Sequence, residues 1–321
     1  MHATQVDGTR EKQAASNDAP TLPAGDLVGL PGRGEVFVRQ LPGPPGAPVV
    51  VLLHGWTATA DLNWQTSYQA LGRHFRVIAF DHRGHGRGLR APAGFRLEDC
   101  ADDVAAVAAQ LGVDRCIPVG YSMGGPIASL VWRRHLELVE GLVLCATSRH
   151  FAATPARRAF FSVLNGTSAV ASTTPLRAIG RWSGSAWTRR LEHRDRPSWM
   201  VEQVLAHDWT QVVDAGRAIG RFDSRRWAGN IDVPTAVLVS LDDDVVPTCQ
   251  QLELARAVPG ASVHMVPGGH TACMDRSSHF VSSVLDACRS VANRANARLD
   301  RDWILGDGPP TPTRSLASRA A

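Results

Sequence analysis

Short apolar runs bounded by turn residues recur through the first half of the chain. Residues 48–53 read Pro-Val-Val-Val-Leu-Leu and stop at His54-Gly55; residues 76–80 read Arg-Val-Ile-Ala-Phe and stop at Asp81. Residues 116–120 and 141–146 form two more such runs, the first interrupted by Pro118. Runs of this length without polar alternation predict strands buried on both faces. Between them, Val104, Val107, Ala108 and Leu111 follow helical spacing across 97–111, and residues 123–134 predict another helix. Strands alternating with helices predict an α/β fold: a mostly parallel sheet with helices on both faces.

The alternation breaks at Thr147. Residues 147–229 are rich in Arg, Ser and Trp, hold Trp182, Trp187, Trp199, Trp209 and Trp227, and contain no strong strand pattern. It resumes with a strand at 235–240, a helix at 248–257, a strand at 261–266 and a closing helix after Thr271. The predicted organisation is a flexible arm over 1–33, an α/β core over 34–146 and 230–305, a helical cap over 147–229, and a disordered tail over 306–321. The cap's tryptophans are expected to pack chiefly among themselves while presenting an apolar access route to the site.

Composition narrows the function classes. Hydrophobic residues make up 44% and charged residues 20%, enough for an ordinary core. The net charge of +4 is carried almost wholly by scattered arginines, Lys12 being the only lysine. No basic stripe suits a phosphate backbone or a membrane surface, so neither nucleic acid nor stable membrane insertion is expected. The six cysteines are spaced singly, which predicts buried free thiols in a reducing compartment and no zinc site. Residues 1–24 are polar and lack an apolar targeting core, so a cytoplasmic location is expected. No metal or cofactor motif is present, and a small-molecule substrate is the expected partner. Composition leaves the oligomeric state open.

The candidate chemistry lies at Gly120-Tyr121-Ser122-Met123-Gly124, a G-x-S-x-G string between a predicted strand and a predicted helix. The string alone is common; its context is not. A strand-to-helix elbow presents a serine hydroxyl above the sheet, and flanking glycines are needed because a Cβ would strike neighbouring backbone. A Gly-rich loop with a capping serine is the plainer alternative. A serine hydroxyl needs a base, and the base a carboxylate to orient it, in the chain order Ser, acid, His for an elbow. The strand ending at Ser240 is followed by Asp242-Asp243-Asp244-Val245-Val246-Pro247, and the last strand by Pro267-Gly268-Gly269-His270. His264 falls within a strand and His279 in a helix, which favours His270 as the base.

Four landmarks in order, His54-Gly55-Trp56, Asp81-His82-Arg83-Gly84-His85-Gly86, the Ser122 elbow and the Asp…Gly-His pair, resemble the α/β-hydrolase superfamily across 34–291. The resemblance implies a Ser122–Asp243–His270 triad, with the acid four residues before Pro247. Asp242 and Asp244 compete with Asp243, since one residue of loop slippage exchanges them. It also implies that the backbone N–H groups of Trp56 and Met123 form an oxyanion hole, that His82 and His85 shape the site's floor, and that Arg83 anchors their loop. A serine at the elbow sets the chain apart from the dehalogenase and epoxide hydrolase branches, and the lack of a Gly-Gly-Gly run from one lipase and esterase branch.

The function expected is a serine hydrolase that cleaves an ester-like bond of a small or medium apolar substrate through an acyl-enzyme. The same triad could serve a cofactor-free haloperoxidase or perhydrolase, a carbon–carbon bond hydrolase, a thioesterase, an amidase or an acyltransferase. A non-catalytic ligand receptor, or an interaction protein using its long tails, is the alternative from outside enzymology.

Overall fold

A computed structural model describes residues 19–90, 94–171, 198–275 and 279–304. In chain order the core opens with β1 (Gly25–Leu30), β2 (Gly34–Leu41), β3 (Val49–Leu53), α1 (Ala60–Trp64), α2 (Tyr68–Gly72), β4 (Arg76–Phe80), α3 (Leu97–Gln110), β5 (Ile117–Tyr121), α4 (Gly124–Arg134) and β6 (Leu142–Cys145). The helices α5 (Pro155–Ala171), α6 (Ser198–Leu205) and α7 (Trp209–Arg221) follow. The core then resumes with β7 (Thr235–Ser240), α8 (Thr248–Ala257), β8 (Ser262–Val266) and α9 (Phe280–Ile304).

The eight strands form one sheet in the order β1-β2-β4-β3-β5-β6-β7-β8. From β4 to β8 every pairing is parallel, while β1–β2 and β2–β4 are antiparallel. Alternate residues of β3 enter different cores: Val51 and Leu53 pack beneath α3 and α4, Val50 and Leu52 on the opposite face with Val284 and Val291 of α9. A strand sandwiched in this way has no polar face, and this is why its sequence shows no alternation.

One boundary differs from expectation. The arm assigned to 1–33 gives way at Gly25 to β1, which pairs residue for residue with β2. The turn between them closes through the Arg33 N–H donating to the Leu30 carbonyl at 2.9 Å, with Gly32 at φ 72°, and Arg33 pairs with Asp103 of α3 at 2.7 Å. β1 is mostly solvated, so it carries almost no apolar signature. Half-buried at the other end of β2, Arg39 forks onto both oxygens of the buried Asp61 at 2.6 and 2.8 Å. A paired buried carboxylate of this kind fixes position more than it adds stability.

Over 147–229 the described elements are the three helices α5–α7 and a short turn. Trp182 and Trp187 lie outside the described residues, as does the tail over 306–321. Trp227 meets Phe222 of the insertion edge-on at 6.0 Å and also stacks on Trp132 of α4 at 6.3 Å, which holds the base of the insertion to the core. All six cysteines are free; five are buried, but Cys249, the second residue of α8, is exposed, against expectation.

Four histidines meet where the cap rests on the loop after β4. Ring centroids lie 4.4 Å apart for His54–His82, 5.3 Å for His54–His85 and 5.2 Å for His85–His207. The His82 backbone N–H donates to His54 Nε2 at 2.8 Å, and the Gly86 N–H donates to His207 Nδ1 at 2.9 Å. His207 Nε2 donates in turn to the Thr57 carbonyl at 3.2 Å, joining the cap to the loop after β3. Arg83 anchors its own loop to α3 through paired contacts with Asp103 at 2.8 and 2.9 Å. Burial holds the rings neutral, pushing His54 and His207 down to about 4 and His82 and His85 well below the usual histidine value.

The unfolded chain binds protons on these rings below about pH 6.5, while the native state refuses them on His54 and His207 until about pH 4 and on His82 and His85 until well below the usual histidine value. Stability contributed by neutral burial is therefore present above pH 6.5 and is lost as pH falls toward 4, by about 3 kcal/mol for each of His54 and His207. Urea unfolding followed across this range is expected to show a steadily falling midpoint; a flat profile overturns the assignment.

Candidate active site

β5 delivers Ser122 into a turn that ordinary residues avoid. Its φ is 52°, in the left-handed region. The Ser122 N–H donates to the Cys145 carbonyl of β6 at 2.9 Å, and its own carbonyl accepts from the Gly125 N–H at 2.9 Å and Thr147 Oγ1 at 2.8 Å. Close backbone approach fixes the glycines on either side. A Cβ on Gly120 would sit 2.2 Å from the Gly124 carbonyl oxygen, and one on Gly124 would sit 2.2 Å from that of Leu53. The adjoining N-terminus of α4 favours negative charge beside the serine.

His270 follows β8, and its ring bridges two groups. Nε2 lies 2.9 Å from Ser122 Oγ, and Nδ1 lies 2.8 Å from Asp243 Oδ2. With Nδ1–H donated to the carboxylate, Nε2 is the acceptor that faces the serine. Tyr121 donates its hydroxyl to the His270 carbonyl at 2.8 Å, tying this loop to the strand that ends at the serine. Asp243 receives four donors. Oδ1 accepts the N–H groups of Val245 and Val246 at 2.9 and 2.7 Å, and Oδ2 accepts Gln251 Nε2 at 3.0 Å besides the histidine. Its carboxylate is fully enclosed, whereas Asp242 and Asp244 are exposed and neither contacts His270. His264 stays on β8 beside Ser262, and His279 is exposed at the start of α9.

The loop after β3 reaches the same point. A Cβ on Gly55 would lie 3.2 Å from Ser122 Cβ, and the Gly55 N–H is held by Asn63 Oδ1 at 2.7 Å. Trp56 follows at once. Among the described residues no hydrogen bond occupies the backbone N–H of Trp56 or of Met123. Thr57, at φ 59°, then turns the chain away.

Two cavities open on Ser122. The smaller, about 230 Å³, is walled by Asn63, Tyr121, Met200, Val204, His270 and Met274. The larger, about 390 Å³, is walled by Met123, Phe151, Phe160, Phe161, Ile219 and Val246. Among the described residues Trp199, Trp209 and Trp227 line neither, and the aromatic lining comes from Phe151, Phe160, Phe161 and Trp56. His82 and His85 also line neither; they lie beneath the loop that carries Trp56. Gln251, Asn63 and His207, which hold the acid, the Gly55 loop and the helices after β6, had no signal in the sequence: Gln251 and Asn63 each act across a loop of eight residues, and His207 on partners more than 120 residues away.

Comparison with known proteins places this architecture. The family described as alpha/beta hydrolase fold matches residues 48–277. A relative from Serratia proteamaculans, named as a carbamate hydrolase (RutD), is 30% identical over 249 residues, covering 74% of this chain and 89% of the relative. The pimeloyl-[acyl-carrier protein] methyl ester esterase of Sodalis glossinidius is 32% identical over 204 residues, covering 62% and 76%. Among solved structures, the enol-lactonase of Burkholderia xenovorans is 26% identical with a TM-score of 0.64, covering 81% of this chain and 98% of that one. With the family matched over residues 48–277, well over half of its length, this chain belongs to the alpha/beta hydrolase family of enzymes.

Proposed function

We propose that the protein is a serine hydrolase that cleaves an ester-like bond of a small or medium apolar substrate through an acyl-enzyme intermediate. The observation that carries this reading is the unbroken contact from Ser122 Oγ to His270 to Asp243, at 2.9 and 2.8 Å, on the floor of two largely apolar cavities. His270 Nε2 takes the Ser122 proton as Oγ attacks the carbonyl carbon. Negative charge then develops on the carbonyl oxygen, where the Trp56 and Met123 N–H groups serve as donors, each worth about 3 kcal/mol of barrier. Collapse breaks the bond to the leaving group, which departs with the proton from His270. Water repeats the sequence on the acyl-enzyme and restores Ser122. The relatives support this class, since carbamate, methyl ester and enol-lactone all present a carbonyl bearing a heteroatom leaving group.

Ser122→Ala is expected to abolish labelling by a fluorophosphonate probe and to lower p-nitrophenyl ester turnover by about 10⁴-fold or more. Unchanged turnover in that variant sinks the mechanism. Among the three consecutive aspartates, Asp243→Asn is expected to lower kcat by about 10⁴-fold through the wrong histidine tautomer, while Asp242→Asn and Asp244→Asn lose less than about tenfold. Steady-state kinetics on the three variants decides between them, and a larger loss at either neighbour moves the acid to it.

A further inference from the structure

Only two described residues border both cavities at Ser122: the serine itself and Trp56. Trp56 therefore stands where the two cavities meet. It is fixed from the cap. Its Nε1–H donates to the Val212 carbonyl of α7 at 2.6 Å, and Phe160 of α5 meets it edge-on at 6.5 Å. Gly216, also on α7, makes the room: a Cβ there would lie 2.6 Å from Trp56 Cζ2 and 3.1 Å from Leu164 Cδ1. Glycine within a helix costs about 1 kcal/mol relative to alanine, and the close approach of the indole accounts for it here.

The direction of proton transfer distinguishes the two chambers. When the tetrahedral intermediate collapses, the carbon–heteroatom bond breaks and the departing heteroatom must take the proton held by His270 Nε2. His270 borders the smaller cavity and not the larger. Met123, whose N–H faces the developing oxyanion, borders the larger.

Building on the serine-hydrolase reading, we infer that Trp56, seated by Gly216, partitions the substrate at its scissile bond, with the leaving group in the 230 Å³ chamber and the acyl group in the 390 Å³ chamber. The substrate class is an ester whose apolar acyl group is larger than its leaving group. Phe151, Phe161 and Ile219 enclose that acyl group, while Asn63 and Tyr121 give the leaving-group side its few polar groups. Trp56 and Gly216 act as specificity-determining residues, and Gly216 works only through the indole it seats.

The test uses two substrate series on the full chain: p-nitrophenyl acetate against p-nitrophenyl octanoate, and methyl acetate against hexyl acetate. Ala156, exposed on α5, lines the larger cavity, and Met200, half-buried on α6, lines the smaller. Ala156→Trp is expected to lower the octanoate-to-acetate ratio of kcat/KM at least tenfold. Met200→Trp is expected to lower the hexyl-to-methyl ratio by as much, and neither variant should move the other ratio more than threefold. Gly216→Ala displaces the indole and shifts both ratios. A swapped pattern, an Ala156→Trp ratio equal to wild type, or a Gly216→Ala variant with both ratios unmoved overturns the partition. Failure of the wild type to hydrolyse any ester or to take a fluorophosphonate label instead brings down the serine-hydrolase reading itself.

Discussion

The left-handed backbone at Ser122 is the constraint on which the rest of the structure depends. A non-glycine residue held there costs about 1–3 kcal/mol and persists only when its surroundings over-determine it. The surroundings come from the two strands that flank β5. β6 supplies the Cys145 carbonyl that receives the Ser122 N–H, β3 comes so close that Gly124 has no room for a Cβ, and Thr147, just beyond β6, grips the Ser122 carbonyl. The parallel register of β3, β5 and β6 is thus what makes the turn affordable.

The same economy of movement applies to the groups around the serine. Asp243 is gripped by two backbone N–H groups and by Gln251, so it presents one oxygen to His270 in a fixed direction. His270 is tethered through its carbonyl to Tyr121, the residue preceding the serine. His270 is therefore referenced to the strand that leads into Ser122, and Asp243 is referenced to it through His270. Chemistry that relies on near-attack geometry and preorganised dipoles needs this kind of support.

The core was legible from the sequence because parallel strands buried on both faces leave continuous apolar runs, and because Gly, Asp and His end those runs where loops begin. β1 and β2 were harder. β1 has one buried residue in six, so solvent left no periodic signature on it. Asp243 could be preferred over its neighbours only through its spacing to Pro247; the geometry separates them by burial and by Gln251, eight residues further on. Tryptophan content pointed to the cap as the source of the aromatic wall, yet the indole that matters belongs to the core loop after β3. Its hydrogen bond spans 156 positions of sequence, beyond the reach of any local pattern.

The placement of the cap has a consequence for how this molecule can diversify. It is inserted between β6 and β7, which are hydrogen-bonded neighbours in register from Leu142↔Thr235 to Cys145↔Leu238. Lengthening or replacing the insertion separates no sheet partners, and each doubling of a closed loop costs only about 0.6 kcal/mol. The segment between β6 and β7 can therefore change in length without disturbing the register of the sheet. Its freedom ends at a single keyway: any replacement must offer a carbonyl where Val212 stands and bare backbone where Gly216 stands, or the indole beside the serine loses its seat.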